Sequence, residues 1–198
     1  MLEYERAEVW QGVKVNNISR NVEFNWIQCQ HKGVSYEIEA DLIIGADGQR
    51  SVVAKTFKPD LQEANHFCAG LRAYYTNVTG FHAHNYLELH FIKQVLPGYL
   101  WIFPLPNGQA NVGIGMLSSK VREKQVNLKA TLNKALEEDP YFRERFKNAN
   151  LEGKIQGWGL PLGSKKRNIS GDGFMLVGDA ASLIDPFTGE GIGNAMLS

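Results

Sequence analysis

The sequence predicts an α/β plus α+β architecture, and three observations carry it. Residues 6–46 alternate apolar and polar and end in a short apolar strand at a glycine turn. Residues 67–117 hold four strand-like segments. Residues 168–198 read as strand, acidic turn, glycine-rich loop and helix start.

In the first region Val13, Val15, Val22, Phe24, Trp26, Tyr36 and Ile38 alternate against polar neighbours, which predicts a β-meander. Asp41-Leu-Ile-Ile-Gly-Ala-Asp47-Gly48 follows, a continuous apolar strand of the kind buried on both faces. Strands are expected at 67–79, 85–92, 99–106 and 109–117. Asn107-Gly108 between the last two predicts a hairpin, because both residues tolerate the positive φ of a type I′ turn. Beyond the sheet, Leu128, Leu132, Ala135 and Leu136 recur at helical spacing. Asp139 is placed to cap a second short helix with Pro140 at its first position and Phe142 and Phe146 one turn apart. Both helices are expected to cover one face of the sheet.

Composition narrows the function classes. The hydrophobic fraction of 43% over 198 residues suits an ordinary globular core, and 21 basic residues balance 21 acidic ones. No overall field therefore favours nucleic acid, and a small or apolar partner is expected. Cys29 and Cys68 form no CxxC and no disulfide framework, which fits a reducing cytoplasm. No run reaches the roughly 18 apolar residues needed to cross a bilayer. The five histidines have no cysteine or carboxylate partners at metal-ligand spacing, so no metal is expected.

The segment LVGDAASLIDPFTGEGIG carries the most chemistry. Asp179 can accept hydrogen bonds from sugar-type hydroxyls at a strand end. Pro186 stiffens the loop. Gly189, Gly191 and Gly193 let backbone N–H groups approach a ligand at a helix N-terminus, where negative charge is favoured. Taken singly, Asp47-Gly48 reads as a turn and Gly178-Asp179-Ala-Ala as a strand end with a cap. Tyr99, Trp101 and Phe103 share one face of a strand. They either line a pocket for an apolar chain or pack the sheet on its helices.

Taken together, these motifs resemble those of the flavoprotein superfamily of aromatic hydroxylases, and within it the geranylgeranyl reductase-like branch. The resemblance implies that Gly178 and Asp179 lie against the ribityl chain of FAD. It implies that Pro186, Gly189, Glu190, Gly191 and Ile192 lie near the isoalloxazine, and that Asp47 and Gly48 lie near the pyrophosphate. Tyr99-Leu-Trp101-Ile-Phe103-Pro104 with Val112-Gly-Ile-Gly115 resembles the reductase signature Tyr-x-Trp-x-Phe-Pro and Val-Gly-x-Gly, which makes Tyr99, Trp101 and Phe103 substrate-binding candidates. The chain departs from the wider pattern in four places. Ala54-Lys55 stands where an Arg often follows the Asp-Gly motif. Ser182 replaces the His of hydroxylases, and Leu105 replaces a Lys frequent in archaeal reductases. Tyr99 and Phe103 differ from the Trp-x-Trp-x-Ile-Pro of flavin halogenases.

The superfamily opens on a G-x-G-x-x-G turn, and none precedes Asp47, so the chain reads as an internal piece. The expected organisation is part of a Rossmann-like FAD-binding domain at 1–58, an antiparallel substrate domain at 59–162, and a return to the FAD domain at 163–198. The expected function is FAD-dependent reduction of geranylgeranyl-type double bonds, with NADPH or another external donor reducing the flavin. The substrate would be an apolar small molecule such as a prenyl lipid, met in the cytoplasm with peripheral membrane contact. Two alternatives stand beside it: a flavin monooxygenase, and a lipid-binding remnant without catalysis.

Overall fold

The structure is a computed structural model and describes residues 7–57 and 63–198. The expected boundary at 58/59 lies outside the described residues. In chain order the strands and helices are β1 (Val13–Arg20), β2 (Asn25–His31), β3 (Val34–Ala40), β4 (Ile43–Gly45), α1 (Val52–Phe57), β5 (Phe67–Thr76), β6 (Glu88–His90), β7 (Gly98–Leu105), β8 (Gln109–Leu117), α2 (Ser118–Glu123), α3 (Leu128–Glu138), α4 (Pro140–Phe146), β9 (Asn150–Pro161), β10 (Ser170–Gly171), β11 (Phe174–Leu176) and α5 (Ile192–Leu197). They form two compact units. One draws its described residues from Met1–Leu61, Lys166–Leu183 and Gly191–Ser198, the other from Gln62–Lys165 and Ile184–Glu190. Among the described residues no helix is long and apolar enough to cross a membrane.

The first unit combines the antiparallel meander β1-β2-β3 with a second small sheet, β10-β11-β4, in which β11 runs parallel to β4. Asn25, fully buried, links the two. Its amide donates to the carbonyls of Ala40 (3.1 Å), Asp41 (3.2 Å) and Gly173 (2.9 Å), and its Oδ1 accepts from Arg20 at 3.3 Å. Ile18, Ile43, Val53, Phe174 and Leu176 form the core beneath. Gly45 is required there, since a Cβ would lie 2.8 Å from both Leu176 and Val53. The strand before the glycine turn departs from the expectation of burial on both faces. Ile43 is buried, but Leu42 is 49% and Ile44 60% exposed, because this three-stranded sheet packs α1 and the meander on one side only.

The second unit is a five-stranded antiparallel sheet of order β6-β7-β8-β5-β9. The expected 85–92 strand is paired only over Glu88–His90. The Asn107-Gly108 hairpin forms as predicted: both residues sit at positive φ (60° and 71°), and the Gln109 N–H closes the turn onto the Pro106 carbonyl. Leu100, Ile102, Val112, Ile114 and Met116, all fully buried, face Leu128, Leu132, Leu136 and Phe142 of α3 and α4. Asn127 caps α3 through Ala130 N–H (3.0 Å), and Asp139 caps α4 through Tyr141 N–H (2.9 Å). Below the helices, the buried Arg145 guanidinium forks onto Glu88 (2.6 and 2.8 Å) and donates from Nε to the Thr79 carbonyl.

Candidate functional site

The register of the five-stranded sheet decides which way the aromatic residues of β7 point. Leu100 and Ile102 are the residues turned into the helices, so Tyr99, Trp101 and Phe103 lie on the opposite, helix-free face. The three rings form a continuous ridge, with centroids 6.2 Å apart at each step, and Phe91 extends it beyond Tyr99 at 6.0 Å. The alternative that they pack the sheet on its helices is excluded.

Two glycines of β8 let the Trp101 indole lie close against the sheet. A Cβ on Gly113 would meet the Trp101 indole at 2.0 Å and the Leu71 carbonyl at 2.4 Å, so the indole occupies the space a side chain would need. At Gly115 a Cβ would stand 3.7 Å from the same ring. The indole Nε1 donates to Asn111 Oδ1 at 3.0 Å, which fixes the ring plane. The Val-Gly-Ile-Gly motif therefore acts as a bed for Trp101.

In the same unit, residues 184–190 form a closed loop beside the ridge. Asp185 N–H donates to the Glu190 carbonyl (2.8 Å), and Gly189 N–H donates to the Asp185 carbonyl (3.0 Å). The Asp185 carboxylate accepts from Phe187 N–H (3.0 Å), Thr188 N–H (2.7 Å) and Thr188 Oγ1 (2.8 Å), and those bonds hold its pKa below the usual carboxylate range. The Tyr99 hydroxyl donates to the Thr188 carbonyl. Gly189, at φ 72°, has no room for a side chain, since its Cβ would lie 2.7 Å from that hydroxyl. Asp185 is a residue the sequence reading passed over; its Asp-Pro-x-Thr spacing, an Asx-turn pattern, was the available signal. The Gly189 and Glu190 N–H groups are used within the loop, Glu190 N–H reaching Thr188 Oγ1 at 3.2 Å.

In the first unit, Gly178 and Asp179 open a short 3-10 turn after β11. Gly178, at φ 55°, donates its N–H to Ser198 Oγ (3.0 Å) and stands where a Cβ would press on Ala195 at 3.1 Å. The Asp179 carboxylate is half-buried, and burial raises its pKa. Gly191 caps α5, where Ile192 is 78% exposed. Asp47 accepts from the N–H groups of Val52 (2.6 Å) and Val53 (3.4 Å) at the start of α1, and Gly48 follows at φ 73°. The Asp-Gly motif thus serves locally as a helix cap. Cys68 lies on the helix-free face of the second unit, and burial pushes its thiol up to about 11, which keeps it un-ionised at neutral pH. Among the described residues no group of three His, Cys, Asp or Glu could hold a metal.

The sheet and its ridge match a known catalytic domain. Residues 67–155 match the geranylgeranyl reductase catalytic domain. That segment is geranylgeranyl reductase-like. The chain's relatives include the digeranylgeranylglycerophospholipid reductase of Methanosarcina mazei, 35% identical over 175 residues, 84% of this chain and 39% of the relative. The crystal structure of a geranylgeranyl bacteriochlorophyll reductase-like protein from Thermoplasma acidophilum superposes with a TM-score of 0.82 at 27% identity, covering 97% of this chain and 47% of that one. A flavin-dependent brominase shares the fold, with a TM-score of 0.74 at 19% identity over 93% of this chain and 47% of that one. The geranylgeranyl reductase-like chain therefore spans less than half the length of the relatives it matches.

Proposed function

We propose that this chain carries the substrate face of an FAD-dependent reductase that saturates the carbon–carbon double bonds of an isoprenoid lipid. The observation that carries the reading is the helix-free aromatic ridge of Tyr99, Trp101 and Phe103, bedded on Gly113 and tied by Tyr99 to the 184–190 loop. An aromatic strip of this kind offers dispersion and apolar burial to a polyprenyl chain without demanding a polar group from it. The relative's name supplies the substrate class.

The residues fit FAD on one structural count. The Asp179 carboxylate is half-buried and desolvated, and no described residue is seen to hydrogen-bond it. A polyol chain would bring the donors it lacks. On this reading Gly178 and Asp179 hold the ribityl hydroxyls, and Pro186, Gly189, Glu190, Gly191 and Ile192 stand by the isoalloxazine. Asp47 and Gly48 lie toward the pyrophosphate. When bound, FAD reduced by an external donor such as NADPH would supply the hydride, and the proton that completes each saturation would come from elsewhere. The chain's own residues orient and exclude water: Trp101 and Phe103 pin the chain, and Tyr99 keeps the loop in register with the ridge. A substrate of this class is membrane-borne, so peripheral contact from the cytoplasm belongs to the same reading.

The test is anaerobic incubation of the FAD-loaded protein with a reductant and a geranylgeranyl lipid, followed by mass spectrometry. The expected product gains one H2 per double bond, and Trp101→Ala slows its formation. Oxygen-dependent hydroxylation of the lipid in place of saturation would overturn the proposal in favour of a monooxygenase.

A further inference from the structure

Across the helix-free face, the row that contains Trp101 continues through Gly113 on β8 and Arg72 on β5 to Gln156 on β9. Arg72 is therefore one strand beyond the glycine that the indole covers, about 5 Å further along the row. Its guanidinium is held by two neutral acceptors, Tyr74 Oη at 2.7 Å and Gln156 Oε1 at 3.1 Å. A guanidinium has five N–H donors, so further donors stay available, and no carboxylate pairs with it among the described residues. Opposite Ala73, strand β9 bulges: Arg72 pairs with Gln156 while Tyr74 pairs with Glu152, with Gly153 at φ 73° in between. The bulge opens a cleft of about 660 Å3 lined by Arg72, Tyr74, Glu152, Gly153, Lys154 and Gln156. Two cations and one carboxylate line it, so its local charge is positive although the chain as a whole is neutral.

We propose that this cleft binds the phosphate headgroup of the lipid whose apolar chain lies on the Trp101 ridge, with Arg72 as the oriented fork and Lys154 as a second positive charge. The proposal rests on the reading of the ridge as a prenyl-binding face and adds the polar end of the ligand to it. Arg72 suits this role because Tyr74 and Gln156 fix its plane without neutralising it, so little ordering remains to be done when an anion arrives. Glu152 limits the affinity by repulsion. A headgroup held here sets how far along the ridge the chain extends, and so which part of it lies beside each ring.

The experiment measures binding of geranylgeranyl monophosphate, geranylgeraniol and inorganic phosphate to the full chain by equilibrium dialysis, with circular dichroism confirming the fold of each variant. The lipid phosphate is expected to bind about tenfold tighter than the alcohol, the worth of one charge-assisted contact. Arg72→Gln should erase that preference and leave alcohol binding unchanged, Arg72→Lys should keep part of it, and Glu152→Gln should enlarge it. Inorganic phosphate should bind far more weakly than the lipid phosphate. Equal affinity for alcohol and lipid phosphate, or an equal loss of both in Arg72→Gln, would overturn the headgroup assignment alone. Inorganic phosphate binding as tightly as the lipid would also overturn it, in favour of a free-phosphate site. Failure of both lipids to bind would instead remove the prenyl-binding reading of the ridge, and this inference with it.

Discussion

The Tyr99 hydroxyl donates to the Thr188 carbonyl, and through that bond a residue of the aromatic ridge holds the glycine loop in place. Burial raises the pKa of Tyr99, and the nearby Cys68 and Asp185 raise it further, so the phenol stays a donor through neutral pH. A group whose folded pKa is raised contributes stability that is complete below its unfolded value. That contribution is lost as pH climbs through the folded value. Tyr99→Phe is expected to cost roughly 1 kcal/mol and to speed amide exchange at residues 185–190. Unchanged exchange there would show that the loop holds itself without Tyr99.

Gly113 and Gly115 make a matched pair for testing the bed of the indole. Gly113→Ala drives a methyl into the Trp101 ring and the Leu71 carbonyl, whereas Gly115→Ala places one in ordinary contact with both of its neighbours. The first should lose roughly 1–3 kcal/mol of stability in urea denaturation, as overpacking does. The second should lose less than about 1 kcal/mol. Equal costs would mean that the ring does not rest on Gly113.

Asn25 is fully buried, and its amide serves the carbonyls of Ala40, Asp41 and Gly173. Asn25→Leu should destabilise the first unit by roughly 1–3 kcal/mol, because three carbonyls lose their donor. Asn25→Asp should be worse at neutral pH, since a carboxylate would face the same oxygens. Its folded pKa would be raised, so acidification should restore part of the loss. Thermal melts at neutral and mildly acidic pH read both effects.

Glu88 and Arg145 set the acid limit of the second unit. Burial works to raise the Glu88 pKa, but the Arg145 hydrogen bonds and charge, aided by His90, bring it below the usual carboxylate value. For a depressed pKa the stabilisation is present above the unfolded value and disappears as pH falls through the folded one. Arg145→Met should cost roughly 3–5 kcal/mol by stranding a carboxylate, and adding Glu88→Gln should recover part of it. A pair of single-variant losses that simply add would show that the two side chains do not interact.

Local signals were read correctly where a residue's own chemistry decides the backbone. Asn107-Gly108 takes its positive φ pair, and Asp139-Pro140 caps its helix. The reductase signature marks the ridge of Tyr99, Trp101 and Phe103, but only strand register shows which face it occupies. Strand β9 escaped notice because Gly153, Gly157 and Gly159 break the alternation of Asn150–Pro161, and Trp158 is 58% exposed at the sheet edge. Helices α1 and α2, six residues each, are too short for a period to show. The use of Asp47 as a helix cap and of Gly189 N–H inside its own loop are tertiary facts that motif spacing does not carry.

The parallel pairing of Ile43–Gly45 with Phe174–Leu176 joins segments more than a hundred residues apart. Such a contact is slow to form, because the intervening chain must first be gathered at an entropic cost. As the polypeptide leaves the ribosome, the meander can close on its own hairpins early. Its small companion sheet must wait until residues 63–165 of the second unit have emerged. During that interval Ile43 and Val53 stand without the Phe174 and Leu176 that bury them, and this is when the nascent chain is most exposed to aggregation or in need of a chaperone.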